Sequence, residues 1–386
     1  MKRFPKSLYL FACWGMVGVI LLNIGLAVWS AKEKYTAFDL QSRYPKLKFA
    51  YEDSQYANLL FKYWIPDGPV NTYAGLAYVK GVSPILIAAD TPPLGRYLIG
   101  IFGLLFNNEN ILTLIVGGIS FYLLYLLGRQ LLLQKLLALI PPMLVSFEPI
   151  IKSQFVYTPL LDLMQLMFLL GYFLVFILAL RRKNHYEKYF VIASVLLGCF
   201  IATKFFATGI TVLAASVIVL LLNFNKHKFF VYCLTLPLTV LILLLSYSKS
   251  FIDNPNIKSF LGIQKWVFLY HKSQITTPFA IWPFIYLNQW YVWWGDKPIL
   301  SEVTWTIMWP IITSISLFTA AMSLFKRIKR NSAVELLLLW VICYLLFFSV
   351  GQVSARYLVI LLPILYVLSV YGMREYIVLF NKRYKK

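Results

Sequence analysis

Charge is scarce in this chain, and acid is scarcer still: only 13% of 386 residues are Asp, Glu, Lys or Arg, with 15 acids against 36 bases. A hydrophobic fraction of 60% and a mean hydropathy of +0.72 exclude a soluble domain of this length. Histidine is thin as well. His185, His227 and His271 show no metal-ligand spacing, so the sequence is read as having no metal site and no cofactor. The four cysteines, Cys13, Cys199, Cys233 and Cys343, each sit in an apolar run without a pairing pattern, and they read as packing residues. A phosphate-binding glycine loop, a G-x-S-x-G elbow and an H-E-x-x-H helix are all missing, which leaves nucleotide hydrolysis, serine hydrolysis and zinc proteolysis without support.

What the chain has in abundance is long apolar runs. The expected fold is an all-α polytopic membrane protein, one domain over 1–386, with about ten transmembrane helices. They are Leu8 to Trp29, Ile111 to Gly128, Leu131 to Glu148, Pro159 to Leu180, Tyr189 to Thr203, Phe205 to Asn223, Phe229 to Tyr247, Val303 to Phe325, Val334 to Val350 and Tyr357 to Phe380. Placing the N-terminus in the cytoplasm puts the basic clusters around Arg129, Arg181, Lys226, Lys326 and the tail from Arg374 on the inner side. Only Lys152, Lys204 and Arg356 then fall in short outer turns. The net charge of +21 therefore reports topology and not nucleic-acid binding: a cell-membrane protein with both termini inside and two long outer loops, 30–93 and 248–302.

The first outer loop carries the adjacent acids Glu52 and Asp53. Tyr56, Leu59, Leu60, Tyr63 and Trp64 recur at helical spacing before Pro66, which predicts a short amphipathic helix holding those acids at the bilayer surface. Further on, Asp90-Thr91-Pro92-Pro93-Leu94-Gly95-Arg96 opens an apolar run ending at Phe106, too short to cross a bilayer and so a second interfacial or re-entrant helix. Glu52, Asp53, Asp90, Arg96, Glu148, Lys152, Asp162, Lys204, His271 and Arg356 all fall near the outer ends of spans. One carboxylate can take a hydroxyl proton while cations hold a phosphate, so Glu52 and Asp53 are base candidates and Arg96, Lys204 and Arg356 phosphate candidates. Bland readings stand beside these. Asp53 or Ser54 can be a helix cap, Arg356 can pair structurally with Asp162 or Glu148, and Trp282, Trp290, Trp293 and Trp294 can be an interfacial belt instead of a sugar platform.

In order along the chain, these residues resemble the C-type (GT-C) glycosyltransferase superfamily, in particular the protein O-mannosyltransferases and the aminoarabinose-type transferases. Tyr51-Glu52-Asp53-Ser54-Gln55-Tyr56 is similar to their aromatic-D-E-x-x-Y motif with the acids reversed, and Thr91-Pro92-Pro93-Leu94-Gly95-Arg96 is similar to H-P-P-L-G-K without the histidine. Tyr157 to Asp162 resembles the segment ending in L-D-P, and Thr203-Lys204-Phe205 the T-K turn. Tyr270-His271 through Thr277 to Trp282-Pro283 resembles the late-loop motif, and Arg356-Tyr357-Leu358 to Pro363 resembles the R-Y-L opening of the final span.

The resemblance implies a membrane glycosyltransferase that inverts the anomeric centre. It would move a hexose from a polyprenyl- or dolichyl-phosphate donor to a protein, lipid or glycan hydroxyl outside the cytoplasm. Asp53 or Glu52 would be catalytic, and Tyr56, Arg96, Asp162, Lys204, His271 and Arg356 would bind substrate. A flippase or transporter for lipid-linked sugars and a membrane assembly protein are the other readings. A transporter places ionisable groups along a path through the midplane, whereas these gather at one end.

Overall fold

A computed structural model describes residues 6–57, 60–204, 207–223, 225–273, 277–292, 296, 298–324 and 331–383. Phe205, Trp293, Trp294 and the basic residues from Lys326 to Arg330 lie outside the described residues. The chain opens with α1 (Lys6–Ser30), whose large side chains are left bare: Phe11 is 75% exposed and Trp14 67%. Bare apolar side chains along a helix of this length are what a lipid-facing span shows. Two short helices, α2 (Lys32–Thr36) and α3 (Leu40–Glu52), follow. Next come α4 (Asp67–Val79) and α5 (Leu94–Phe106). The last of these has the bounds expected from its Pro-Pro start and apolar run.

The helix expected over Tyr56 to Trp64 is absent from the described residues. Lys62 and Tyr63 instead donate their amides to the Asp53 carbonyl, and the Gln55 carboxamide closes on both the amide and the carbonyl of Ile65. Those donors are spent on a looped-back segment, so no helical ladder can use them.

The bundle proper runs α6 (Ile111–Leu132), α7 (Lys135–Phe147), α8 (Pro149–Val156), α9 (Asp162–Arg181), α10 (Glu187–Thr203), α11 (Thr208–Leu222) and α12 (Lys226–Ser246). After α13 (Ser248–Asp253), α14 (Ile257–Ser273) and α15 (Ile281–Leu287), a minimal antiparallel pair joins Trp290–Tyr291 to Ile299–Leu300. It closes with α16 (Met308–Leu324), α17 (Ser332–Ser349), a 3-10 turn at Ala355–Tyr357 and α18 (Leu358–Arg383). Helices thus occupy all ten expected positions. Six are long and apolar enough to cross a membrane, and α7 with α8 makes a seventh if that pair, bent by 64°, is one span. At 15 to 17 residues, α10, α11 and α16 are roughly 22–26 Å long, shorter than the ~30 Å hydrocarbon core.

The core lies on α9, α17 and α18. Tyr172, Phe173, Phe176, Trp340, Leu361 and Leu365 are fully enclosed there, so these helices are apolar all round where α1 faces outward. The bend between α7 and α8 is pinned from inside: the Glu148 carboxylate accepts hydrogen bonds from the Tyr366 hydroxyl, the Trp309 indole (3.1 Å) and the Thr306 hydroxyl (3.3 Å). Glu148 therefore ties α16 and α18 to the break and stays away from Arg356.

Candidate active site

Five separate stretches of chain deliver charge to one point. Asp67 follows Pro66 and opens α4, where a carboxylate suits the positive end of the helix dipole. Its helix crosses α5 backbone to backbone. A methyl group on Gly75 or on Gly100 would overlap the other helix's main chain, so only glycine at both allows this approach. The crossing sets Arg96, in the first turn of α5, beside α4. The Arg96 side chain is 4% exposed, and it donates from Nε to Asn71 (3.1 Å), from Nη1 to the Ala88 carbonyl and from Nη2 to Asp90 (3.3 Å). Lys204 ends α10 and Asp162 starts α9. They form a buried ion pair in which the second Asp162 oxygen has no partner, and the Lys204 ammonium lies 5.1 Å over the Tyr357 ring. Arg356, in the turn before α18, pairs with Asp67, and the Tyr56 hydroxyl donates to the other Asp67 oxygen at 2.6 Å.

Tyr56, Asp67, Asp90, Arg96, Asp162, Lys204 and Arg356 line a tight cavity of about 30 Å³. Asp67 and Arg356 also form part of the wall of a second cavity, of about 720 Å³, which opens beside it between α2, α3, α8 and the turn before α18. Three carboxylates balance three cations in the small cavity, so each charge already has a counter-charge. Burial alone would raise the Asp67 carboxyl. The Arg356 guanidinium and the Tyr56 hydroxyl outweigh burial and hold its pKa down, at about 2. Burial and the Asp67 charge push the Tyr56 hydroxyl well above its usual value, so Tyr56 remains a donor at any ordinary pH. In its ionised form Asp67 is a proton acceptor at the junction of the two cavities, and the cations beside it can hold an anion.

The expected residues divide on this geometry. Tyr56, Arg96, Asp162, Lys204 and Arg356 come together. The acid pair does not join them: Glu52 is 57% exposed and reaches Lys48 at 3.7 Å, Asp53 closes the C-terminus of α3, and neither lines either cavity. The place between the cations belongs to Asp67. His271 is one step removed, with Nε2 3.1 Å from the Asp90 carbonyl and Nδ1 3.4 Å from Gln352, and it lines a separate apolar cavity of about 250 Å³. Trp282 and Trp290 donate their indole N–H groups to the Ser349 hydroxyl and the Val353 carbonyl. Among the described residues, no three of His, Cys, Asp and Glu stand together as a metal-binding group. Sequence reasoning missed Asp67 and Asn71, although an acid directly after Pro66 and before a helical run was a signal for the first.

Residues 90–247 match the family model described as dolichyl-phosphate-mannose-protein mannosyltransferase. No curated protein sequence matches the chain. Among solved structures, ArnT from Cupriavidus metallidurans bound to undecaprenyl phosphate superposes with a TM-score of 0.57 at 15% identity, covering 79% of this chain and 55% of that one. The oligosaccharyltransferase of Archaeoglobus fulgidus in its apo form superposes with a TM-score of 0.54 at 13% identity, covering 93% of this chain and 50% of that one. The fold is therefore the one these GT-C membrane enzymes share, and the chain spans about half the length of either.

Proposed function

We propose that this protein is a membrane glycosyltransferase that moves a sugar from a polyprenyl-phosphate donor to an acceptor hydroxyl, with Asp67 as the base. The observation that carries the reading is the convergence of Asp67 with Arg96, Lys204 and Arg356 in one cavity. A sugar leaving a lipid phosphate departs on a stabilised anion, so the site needs one proton acceptor and a cationic holder and no carboxylic acid of the glycosidase kind. The acceptor oxygen forms a bond to the anomeric carbon as the carbon–oxygen bond to phosphate breaks. The electron pair leaves with the polyprenyl phosphate, and the hydroxyl proton goes to Asp67. One displacement of this kind inverts the anomeric centre. Arg356 can meet phosphate oxygens with two N–H groups, while Lys204 supplies a compact charge.

Because carboxylates already balance the cations, the donor phosphate has to replace a carboxylate on one of them. Arg356 is the exchange point: giving it to phosphate releases Asp67 from its clamp, and the base becomes more basic as the donor arrives. The basic clusters at the opposite end support an extracytoplasmic site, and the family description makes mannosyl donors the first to try. The test is to give sealed right-side-out vesicles carrying the protein a labelled polyprenyl-phosphate mannose. The expected result is labelled glycoconjugate and free polyprenyl phosphate in the outward compartment. Unchanged donor over many hours, with several acceptor types and donor sugars present, contradicts the reading.

A further inference from the structure

We propose that α14 lies on the bilayer surface and that its row of lysines, Lys258, Lys265 and Lys272, binds the headgroup phosphates of anionic phospholipids. The inference concerns the exposed face of this helix and stands whether or not the protein transfers a sugar. Seven residues bring an α-helix back to within about 20° of the same direction, so the three lysines form one row. Phe260 and Val267, also seven apart, form the opposite row and are the buried residues of the helix. The lysines are exposed, and bare apolar side chains flank them: Ile257 (59% exposed) and Leu261 (58%) on one side, Trp266 (52%) and Leu269 (49%) on the other.

The neighbours of α14 set it at the level of the bilayer boundary. Near its start, Phe260 packs on Tyr247, which ends α12, at 5.1 Å between ring centres. Near its end, Phe268 and His271 close the cavity of about 250 Å³ against Ala207, directly before α11, and against Phe347 and Phe348, in the last turn of α17. Both α12 and α17 are long and apolar enough to cross a membrane, so α14, about 25 Å in length, lies across the ends of crossing helices. Lipid-facing side chains come up to it: Leu245 on α12 is 56% exposed and Ile210 on α11 60%.

At that level both kinds of side chain are satisfied. A helix facing water would leave its large apolar groups bare, and one sunk in hydrocarbon would leave three ammonium groups without a counter-charge. At the interface the apolar side chains enter the acyl boundary while the lysine stems extend to the phosphates. Charge selects anionic lipid. No Asp or Glu occurs between Asp253 and Asp296, Asp253 is committed to Lys249 at 2.6 Å, and among the described residues none of the three lysines has an ion pair. Each lysine near an anionic surface adds about fivefold to binding. A second copy presenting the same face would set lysine row against lysine row, which disfavours it. The helix also carries His271, whose Nε2 is 3.1 Å from the Asp90 carbonyl, so a surface that holds α14 steadies the segment whose carboxylate grips Arg96.

The test is made without any polyprenyl phosphate, so that phospholipid is the only phosphate present. The full chain is reconstituted into nanodiscs of phosphatidylcholine alone and of phosphatidylcholine mixed with phosphatidylglycerol, and amide hydrogen exchange is followed in peptides covering residues 257–273. Exchange in α14 is expected to be slower by about fivefold or more in the anionic discs, with the difference shrinking as salt is raised. The triple variant Lys258→Gln, Lys265→Gln, Lys272→Gln should lose the difference, and the corresponding triple arginine variant should keep it. A second measurement replaces either lipid by a form brominated on its acyl chains. The share of the fluorescence due to Trp266, taken as the difference between wild type and Trp266→Phe, should be quenched, and more by the brominated phosphatidylglycerol than by the brominated phosphatidylcholine. Equal exchange in the two kinds of disc, or a difference that survives in the triple glutamine variant, overturns the proposal. An unquenched Trp266 overturns it as well and gives the face to a soluble partner.

Discussion

Arg356 and Asp67 meet across 289 residues of chain, and the pair constrains both partners. It neutralises the guanidinium until an anion competes for it, and it keeps the carboxylate ionised in a place where burial favours the acid form. The sign of the pH effect follows. A base works only when ionised, and kcat/KM reports the free enzyme, so the acid limb of kcat/KM for donor should lie near pH 2, well below the ordinary carboxylate range. In Arg356→Gln the burial remains and its largest counterweight is gone, with the Tyr56 hydroxyl and the Lys204 charge left, so that limb should move up toward the ordinary carboxylate range and become visible in a pH–rate profile. A variant with lower turnover but no new acid limb would count against the clamp. Local sequence cannot show such a pair. Asp67 reads there as an acid at a helix start, and the Tyr51 to Tyr56 stretch, with two acids side by side, drew the base assignment instead. The cations were legible because lone bases at span ends are rare in a chain whose bases otherwise cluster.

At the scale of elements, the site depends on how closely α4 and α5 cross. Gly75 and Gly100 touch main chain to main chain, so the first turn of α5 can bring Arg96 to Asn71 and Asp90. Gly100→Ala should force the two helices apart at a cost of about 1–3 kcal/mol, the range for overpacking a tight contact. Differential scanning of the variant should show a lower unfolding temperature together with weaker donor binding, because Arg96 moves with α5. A variant with wild-type values of both would show that the crossing can relax without moving the site. The α5 helix was legible from Pro92, Pro93 and an apolar run, both local signals. The segment before it was not. The helical spacing of Tyr56 to Trp64 was genuine, but Asp53 and Gln55 take the hydrogen bonds that a helix would have needed, and only the folded chain shows where those donors go.

For the whole molecule, the ten expected helical positions follow from hydropathy, and the fold they build is the one shared with ArnT and the archaeal oligosaccharyltransferase. What hydropathy could not supply is which acid closes the circuit, because that depends on the crossing of α4 with α5 and on the turn before α18. The central claim is that Asp67, and not the Glu52–Asp53 pair, accepts the acceptor's proton. The most direct measurement compares turnover of labelled polyprenyl-phosphate mannose by Asp67→Asn and by the double variant Glu52→Gln, Asp53→Asn, at matched expression and with donor binding checked in each. Removing a general base typically costs about 10²–10⁴ in rate. Asp67→Asn should fall by that much with donor binding retained, and the double variant should keep turnover within a few fold of wild type. Substantial turnover in Asp67→Asn, with loss in the double variant, would contradict the account.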